Sequence, residues 1–297
     1  MLCLKYILFD LEFNSGKNKL DNSNLNEIIE IGAVKLDDSL NEIDSFSTFI
    51  YPAITQKLNS HVKKLTNITD IQLKGAPDFA DALDDFKKWC FSDDVECIFS
   101  SWSNTDLFVL LENYHAHFNK DRIGFIKQYF DMQKFVTRMI DRHDHNQVSL
   151  KNAAENFGIN TDSFSMHRAR DDSRVCAELF RKTYSEKALK GYVNDTSGKD
   201  YYKRMTYKPH YITDINDKNV DRRLFSANCP YCRKPLRPLG KAIQKYSGFL
   251  LMMSCDKCKR KFMLQIKIRM LYDSVESKKK LREIIPEEKK IEPKTTK

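Results

Sequence analysis

Apolar positions come first in unbroken or alternating runs, and later return every three or four residues. The first run, Tyr6-Ile7-Leu8-Phe9, passes straight into Asp10-Leu11-Glu12. A continuous apolar run that opens a domain predicts a strand buried on both faces. Residues 28–36 and 43–51 predict two further strands, with turn chemistry between them at Asp37-Asp38-Ser39. The first three strands read as a meander. Pro77 then stands where a first helical turn accepts proline, ahead of Phe79, Leu83, Phe86 and Trp89 at helical spacing. Residues 95–99 predict a fourth strand, followed by a helix with Leu107, Leu110, Leu111 and Tyr114. Residues 125–130 predict a fifth strand, then a helix through Met139. Ser149 caps a short helix over 150–157, with Gly158 as its C′ residue, and a last helix carries Val175, Leu179 and Phe180. Strands first, then strand and helix in alternation, predict an α/β fold: a mixed sheet flanked by helices. Ligands of such sheets sit at strand ends.

Carboxylates gather at those ends. Side chains at i and i+2 of a strand point to one side, so Asp10 and Glu12 project together. Held side by side at the end of a water-poor strand, they repel each other and call for a cation. Hard oxygen ligands on rigid backbone suit Mg²⁺ or Mn²⁺. A strand ending in solvated acids is the plainer alternative. Asp106 opens the helix after the fourth strand, where the dipole alone would favour an acid. Asp172 opens the last helix, with His167 five residues before it and Asp171, Arg168 and Arg170 alongside. Asp171 reads either as a helix N-terminal acid or as a supporting partner, and the two arginines as phosphate contacts or solvated charges.

Composition adds a second part. The 297 residues suffice for one sizeable core plus a smaller module. No apolar run approaches the roughly 18 residues of a membrane span. The first residues lack the pattern of a signal peptide, so a cytoplasmic location and no membrane partner are expected. Residues 1–186 hold 22 basic against 29 acidic residues, net −7; residues 187–297 hold 28 against 12, net +16. An acidic front half with a basic back half suggests a metal-loaded catalytic part and a part that meets a polyanion. Cysteines divide likewise. Cys3, Cys90, Cys97 and Cys176 stand in apolar surroundings and read as small buried hydrophobes. Cys229-x-x-Cys232 and Cys255-x-x-Cys258 read as a four-thiolate zinc site in a small ribbon. All four positions would be filled by protein, so this zinc is structural. Between the two parts, Tyr192, Tyr201, Tyr202, Tyr207 and Tyr211 stand among lysines and arginines. They fit either a single-strand contact or a connector packed by its tyrosines. His115, His117, His143 and His145 lack matching ligands and read as surface or core residues.

With these residues in view, the chain resembles the DEDDh 3′–5′ exonucleases of the ribonuclease H-like fold. Phe9-Asp10-Leu11-Glu12, Asn104-Thr105-Asp106 and His167-Arg168-Ala169-Arg170-Asp171-Asp172 carry the likeness. Residues 27–34, 65–69 with 76–79, and 150–154 support it, over about residues 4–186. Within the family the chain looks most like the sporulation-inhibitor and Eri-type RNA exonucleases. The resemblance implies two Mg²⁺ or Mn²⁺ ions, with Asp10 bridging both, Glu12 and Asp172 on one, and Asp106 acting mainly through water. It implies that His167 takes the proton of the attacking water, as an imidazole can near neutrality. It places Leu11, Phe13 and Asn14 around the 3′-terminal nucleotide, Asn14 standing where many relatives carry Thr. Leu65 and Ile68 match the apolar pair that wedges terminal bases, with core packing as the alternative, above all for Leu65.

The expected plan is an exonuclease domain over 1–186, a basic Tyr-rich connector over 187–225, a zinc ribbon over 226–272 and a charged tail, frayed or helical, over 273–297. The expected substrate is the 3′ end of RNA or single-stranded DNA, released as nucleoside 5′-monophosphates. The rivals are a catalytically weak nucleic-acid-binding or regulatory protein, a ribbon that docks a protein partner, and a DNA proofreading exonuclease.

Overall fold

A computed structural model describes residues 4–18, 22–93, 95–140, 148–198 and 200–285. Cys3, His143, His145 and the last part of the expected tail lie outside the described residues. The chain divides between Met205 and Thr206 into two compact units.

In the first unit, β1 (Leu4–Lys17), β2 (Asn24–Leu36) and β3 (Glu42–Phe49) form the expected meander. α1 (Ser60–Thr66), α2 (Asp70–Leu73) and α3 (Phe79–Cys90) follow. α3 is capped by Asp78, whose side chain accepts the Asp81 N–H, so Pro77 precedes the helix instead of opening it. The alternation then runs β4 (Glu96–Ser101), α4 (Asn104–Phe118), β5 (Gln128–Asp131), α5 (Met132–Thr137), α6 (Leu150–Asn156) and α7 (Ala169–Thr183). α8 (Glu186–Leu189), β6 (Asn194–Asp195) and α9 (Tyr201–Thr206) bring the chain to the boundary.

Among the described residues the sheet order is β3-β2-β1-β4-β5-β6, with β1 central. β1 pairs antiparallel with β2 and parallel with β4. Its side chains alternate between two cores, as period two requires. Ile7, Phe9 and Leu11 pack with Phe79, Leu83 and Phe86 of α3 and Leu107 and Leu110 of α4. Tyr6 and Leu8 pack with Val175, Leu179 and Phe180 of α7. Asp10 and Glu12 continue the Tyr6–Leu8 row, so they face the α7 side. The β4 ladder stops at Leu8↔Ser100, while the β2 ladder runs on past Glu12. The acidic end of β1 is therefore flanked by a strand on one edge only, the kind of strand end at which ligands of such sheets bind.

Residues 187–205 are part of this unit, not of a separate connector. β6 pairs with β5, and Tyr202 is buried with its hydroxyl donating to the Ile123 carbonyl at 3.2 Å. Tyr201 and Met205 pack on the α3–α4 core and Tyr192 on the α7 core. Of the two readings open in sequence, Tyr192, Tyr201 and Tyr202 take the packing one.

The second unit holds β7 (His210–Tyr211), a 3₁₀ turn at Arg222–Phe225, β8 (Arg237–Pro238), β9 (Ile243–Lys245), β10 (Gly248–Ser254), β11 (Lys261–Met270) and β12 (Val275–Glu283). Phe249, Leu251 and Met253 of β10 and Phe262, Leu264, Ile266 and Ile268 of β11 build its core. β12 corrects the expected tail: it pairs with β11 from Phe262↔Glu283 to Met270↔Val275. Sequence periodicity missed it because an edge strand open to water needs no apolar alternation, and lysines there block further strand pairing.

A chain ending after Glu186 should consequently lose β6 and the Tyr202 anchor and unfold at a lower temperature than one ending after Met205. Thermal melts of the two truncations check this; equal melting temperatures would place 187–205 outside the fold.

Candidate active site

Four carboxylates gather at the acidic end of β1, brought there by the strand and two helix starts. Asp10 and Glu12 come from period-two alternation on β1. Asp106 is the third residue of α4, behind a Ser103 cap that accepts the Thr105 N–H at 3.2 Å. Asp172 lies in the first turn of α7. His167 sits just ahead of α7 on left-handed backbone, φ 64°, and is exposed. Ligand atoms of Glu12, His167 and Asp172 lie within 4.8 Å of one another.

The electrostatics show what the cluster lacks. Burial pushes Asp10 well above the usual carboxylate range, and the charges of Asp106, Asp172 and Glu12 push it further. Glu12 rises to about 8 by burial and by the charges of Asp172 and Glu30. Asp106 and Asp172 rise to about 7, chiefly by burial; the Ser101 hydroxyl and the Leu11 N–H oppose this at Asp106, and the His167 N–H at Asp172. Asp172 Oδ2 accepts that His167 N–H at 3.2 Å, but its Oδ1 is buried without a hydrogen-bond partner among the described residues. A buried orphan acceptor costs about 1–3 kcal/mol, more when charged. Converging oxygens, mutual repulsion and an orphan oxygen all fit a divalent cation.

Two features missed in sequence hold this arrangement together. Glu30 on β2 stands directly opposite Glu12, next to a register shift at Glu12/Phe13. Like charges opposite each other destabilise a ladder. Arg168 answers with a two-point bond to Glu30, 3.1 and 2.9 Å, its guanidinium 5.2 Å from the Phe49 ring. Arg168 is thus tied to Glu30. The second feature is Gly32, paired with Asp10. A Cβ there would lie 2.0 Å from the Arg170 nitrogen and 2.2 Å from the Ala169 carbonyl carbon. Only glycine lets the start of α7 lie on β2, where Ser173 also donates to the Gly32 carbonyl at 3.1 Å. The sequence signal was available: glycine inside a buried strand marks a close backbone approach.

Several expected substrate contacts are corrected. Asn14 is buried, with Nδ2 donating to Thr55 Oγ1 at 2.8 Å and to the Lys57 carbonyl at 2.9 Å, and Oδ1 accepting the Asn59 N–H at 2.8 Å. Its side chain ties down the loop before α1, with both amide donors used and the group buried. The Leu11 side chain is in the core and its N–H faces Asp106. Ile68 is fully buried with Ile29, Leu58, Val62 and Leu73, whereas Leu65 is exposed, the reverse of the packing expected for that pair. Phe13 is half-buried. Asp171 accepts the Ser165 N–H at 3.0 Å and so supports the loop before His167. His115 pairs with Asp121 at 2.8 Å, and His117 stacks on Phe79, away from the carboxylates. Cys90, Cys97 and Cys176 are buried as expected.

In the second unit, the four paired cysteines converge. Sγ atoms lie 3.9 Å apart for Cys229–Cys258 and 3.5 Å for Cys232–Cys255. A tetrahedral ion with Zn–S bonds of about 2.3 Å separates its thiolates by about 3.8 Å, so the set fits Zn²⁺. Its two halves repeat one turn: Arg233 N–H to Cys229 carbonyl and Lys259 N–H to Cys255 carbonyl, each 2.9 Å. Arg233 and Lys259 both adopt left-handed backbone, at φ 59° and 55°. The Cys258 N–H beside Cys255 brings that thiol down to about 7.

Comparison with known proteins agrees with this geometry. An exonuclease family profile of the RNase T type matches residues 7–180. The DNA polymerase III subunit epsilon of Treponema pallidum is 30% identical over 184 residues, covering 59% of this chain and 74% of that protein. A PolC-type DNA polymerase III of Staphylococcus saprophyticus is 27% identical over 266 residues, 85% of this chain. The chain spans only 17% of that relative's length. Among solved structures, the nuclease domain of 3′hExo, a DEDDh family member bound to rAMP, superposes with a TM-score of 0.53 at 20% identity, covering 65% of this chain and 96% of that one. Cell-death related nuclease 4 gives 0.51 at 21% identity, covering 60% and 62%. The fold is the ribonuclease H-like α/β sheet of these exonucleases.

Gly32→Ala should force α7 off β2, carrying Asp172 and His167 with it. Overpacking of this kind costs about 1–3 kcal/mol, so the variant should melt lower and lose most of any activity that uses the cluster; an unchanged melt and rate would show that the close approach is dispensable. The raised carboxylates set a second expectation. The folded cation-free protein holds protons that the unfolded chain releases, so its stability falls as pH rises from the ordinary values of 3.8 and 4.5 through about 8. Mg²⁺ or Mn²⁺ should raise the melting temperature, and more at pH near 8 than near 5. A pH-independent shift would detach the ions from these carboxylates.

Proposed function

Because the chain belongs to the DEDDh-type exonuclease family, we propose that it hydrolyses the terminal phosphodiester bond at 3′ ends of RNA or single-stranded DNA and releases nucleoside 5′-monophosphates. The observation that carries the reading is the grouping of Glu12, His167 and Asp172 within 4.8 Å, with Asp10 and Asp106 close enough for their charges to act on these acids and a buried Asp172 oxygen left without a hydrogen-bond partner among the described residues. Mg²⁺ or Mn²⁺ held by these carboxylates would polarise the phosphate and acidify a bound water. Asp10, central in the cluster, is the candidate to be shared between two ions, with Glu12 and Asp172 on one of them.

The other steps belong to the chain. His167 reaches the carboxylate donors from the solvent side, so a proton taken there can leave to water. Its backbone is fixed by the Asp172 bond, and the Glu30–Arg168 pair fixes the next residue. Exposed Leu65 and half-buried Phe13 are the apolar groups free to touch a terminal nucleotide. Relatives named as DNA polymerase parts, and a solved 3′-exonuclease recognising a histone mRNA stem-loop, support both nucleic acids as substrates. Zn²⁺ on Cys229, Cys232, Cys255 and Cys258 is proposed as structural, since four thiolates leave no open position.

On 5′-labelled RNA and DNA single strands, Asp10→Asn should abolish shortening while the fold persists, because a neutral amide cannot bridge two cations. His167→Ala should lower turnover about 10²–10⁴-fold with little change in substrate binding. EDTA should stop the wild type and Mg²⁺ or Mn²⁺ restore it. Internal fragments instead of a 3′-shortened ladder, or wild-type turnover in Asp10→Asn, would reject the reading.

A further inference from the structure

The second unit carries a surface that the carboxylate site does not use. On β11, Phe262, Leu264, Ile266 and Ile268 point inward, while Met263, Gln265, Lys267 and Arg269 take the alternate positions. Register sets Lys278 opposite Lys267, Lys280 opposite Gln265 and Arg282 opposite Met263, so one outer face gathers these cations. Gln265, Lys267, Lys278, Lys279 and Lys280 line a groove of about 320 Å³. The Lys279 side chain turns to the other face, where its Nζ donates to the Ser226 carbonyl at 2.6 Å.

Lys267 directly opposite Lys278 opposes strand pairing, and no carboxylate relieves it among the described residues. The ion pairs described in this unit, Arg223–Asp221, Arg237–Asp256 and Arg260–Glu283, lie elsewhere. Glu276, the acid in the outer row of β12, faces Arg269. Beside the cations stands Tyr211, 42% exposed, paired with Arg269 through β7 and with its ring 5.7 Å from Lys267 Nζ. Unpaired point charges along a strand with an open aromatic ring at their end complement phosphates with a stacked base.

We propose that the outer face of β11 and β12 binds single-stranded nucleic acid, with phosphates on Lys267, Lys278, Lys280 and Arg282 and a base on Tyr211. The proposal takes its ligand class from the exonuclease reading, but binding is measured apart from hydrolysis.

The test uses the full-length, zinc-loaded chain carrying Asp10→Asn, so that no strand is consumed. Anisotropy of labelled RNA and DNA of roughly 30 nucleotides, beyond the usual site size of about 4–16, is followed from about 50 to about 200 mM salt. Replacing Lys267, Lys278 and Lys280 together by Gln should flatten the log–log salt slope by about 2 and weaken binding about 100-fold near 0.1 M salt, at about 0.7 per contact. Replacing the three by Arg should restore both. Tyr211→Leu should weaken binding about five-fold or more without changing the slope, and should have no effect on an abasic strand. Zinc stoichiometry reports folding; if the triple variant loses zinc, single substitutions carry the test at about 0.7 of slope each.

Unchanged affinity and slope in zinc-replete variants would overturn the proposal. So would Tyr211 insensitivity together with equal binding of polyglutamate, which would make the face a dock for acidic protein. Neither result bears on hydrolysis of di- and trinucleotides by the wild type, whose absence would instead reject the exonuclease reading.

Discussion

Repulsion among four carboxylates is the interaction around which the first unit is built. Left in water they would separate; the fold holds them together and partly dry, so all four bind protons more tightly than free acids do. Such a site is unfavourable when empty and favourable when a doubly charged ion enters. A cation relieves that penalty, which is why the site fits a divalent ion. Surrounding structure has to supply the force that keeps the acids close.

That force comes from ordinary packing placed around the site. β1 is buried on both faces and cannot withdraw Asp10 and Glu12. The Ser103 cap and the α4 core hold Asp106. α7 is brought onto β2 by the absence of a side chain at Gly32, and fixed by Ser173 and the Arg168–Glu30 pair. The pair has a double effect, because the Arg168 charge also offsets part of what Glu30 presents to Glu12. The second unit meets the same kind of problem with thiolates, which two repeated turns bring to tetrahedral spacing.

Much of this was legible in the sequence where the signal is local. Period-two burial placed Asp10 and Glu12 on one face, helix starts placed Asp106 and Asp172, and the paired Cys-x-x-Cys spacing marked the thiolate cluster. What was not legible depends on partners distant in sequence. Asn14 looked like a ligand contact until the loop at Thr55–Asn59 took its whole amide. Leu65 on α1 is exposed and Ile68, past the Asn67 cap, is buried, because burial here is set by what the turn packs on and not by composition. β12 was hidden because an edge strand rich in lysine has no apolar period to betray it. Glu30 and Arg168, 138 residues apart, show their connection only once α7 lies on β2.

The central claim is that the crowded carboxylates exist to hold divalent cations. Electron paramagnetic resonance of Mn²⁺ titrated into the 297-residue protein tests it most directly. The account predicts saturable binding of two ions close enough for their spins to couple, lost when Asp10 is replaced by Asn. Mn²⁺ that stays free in solution, or that binds equally well without Asp10, would contradict it.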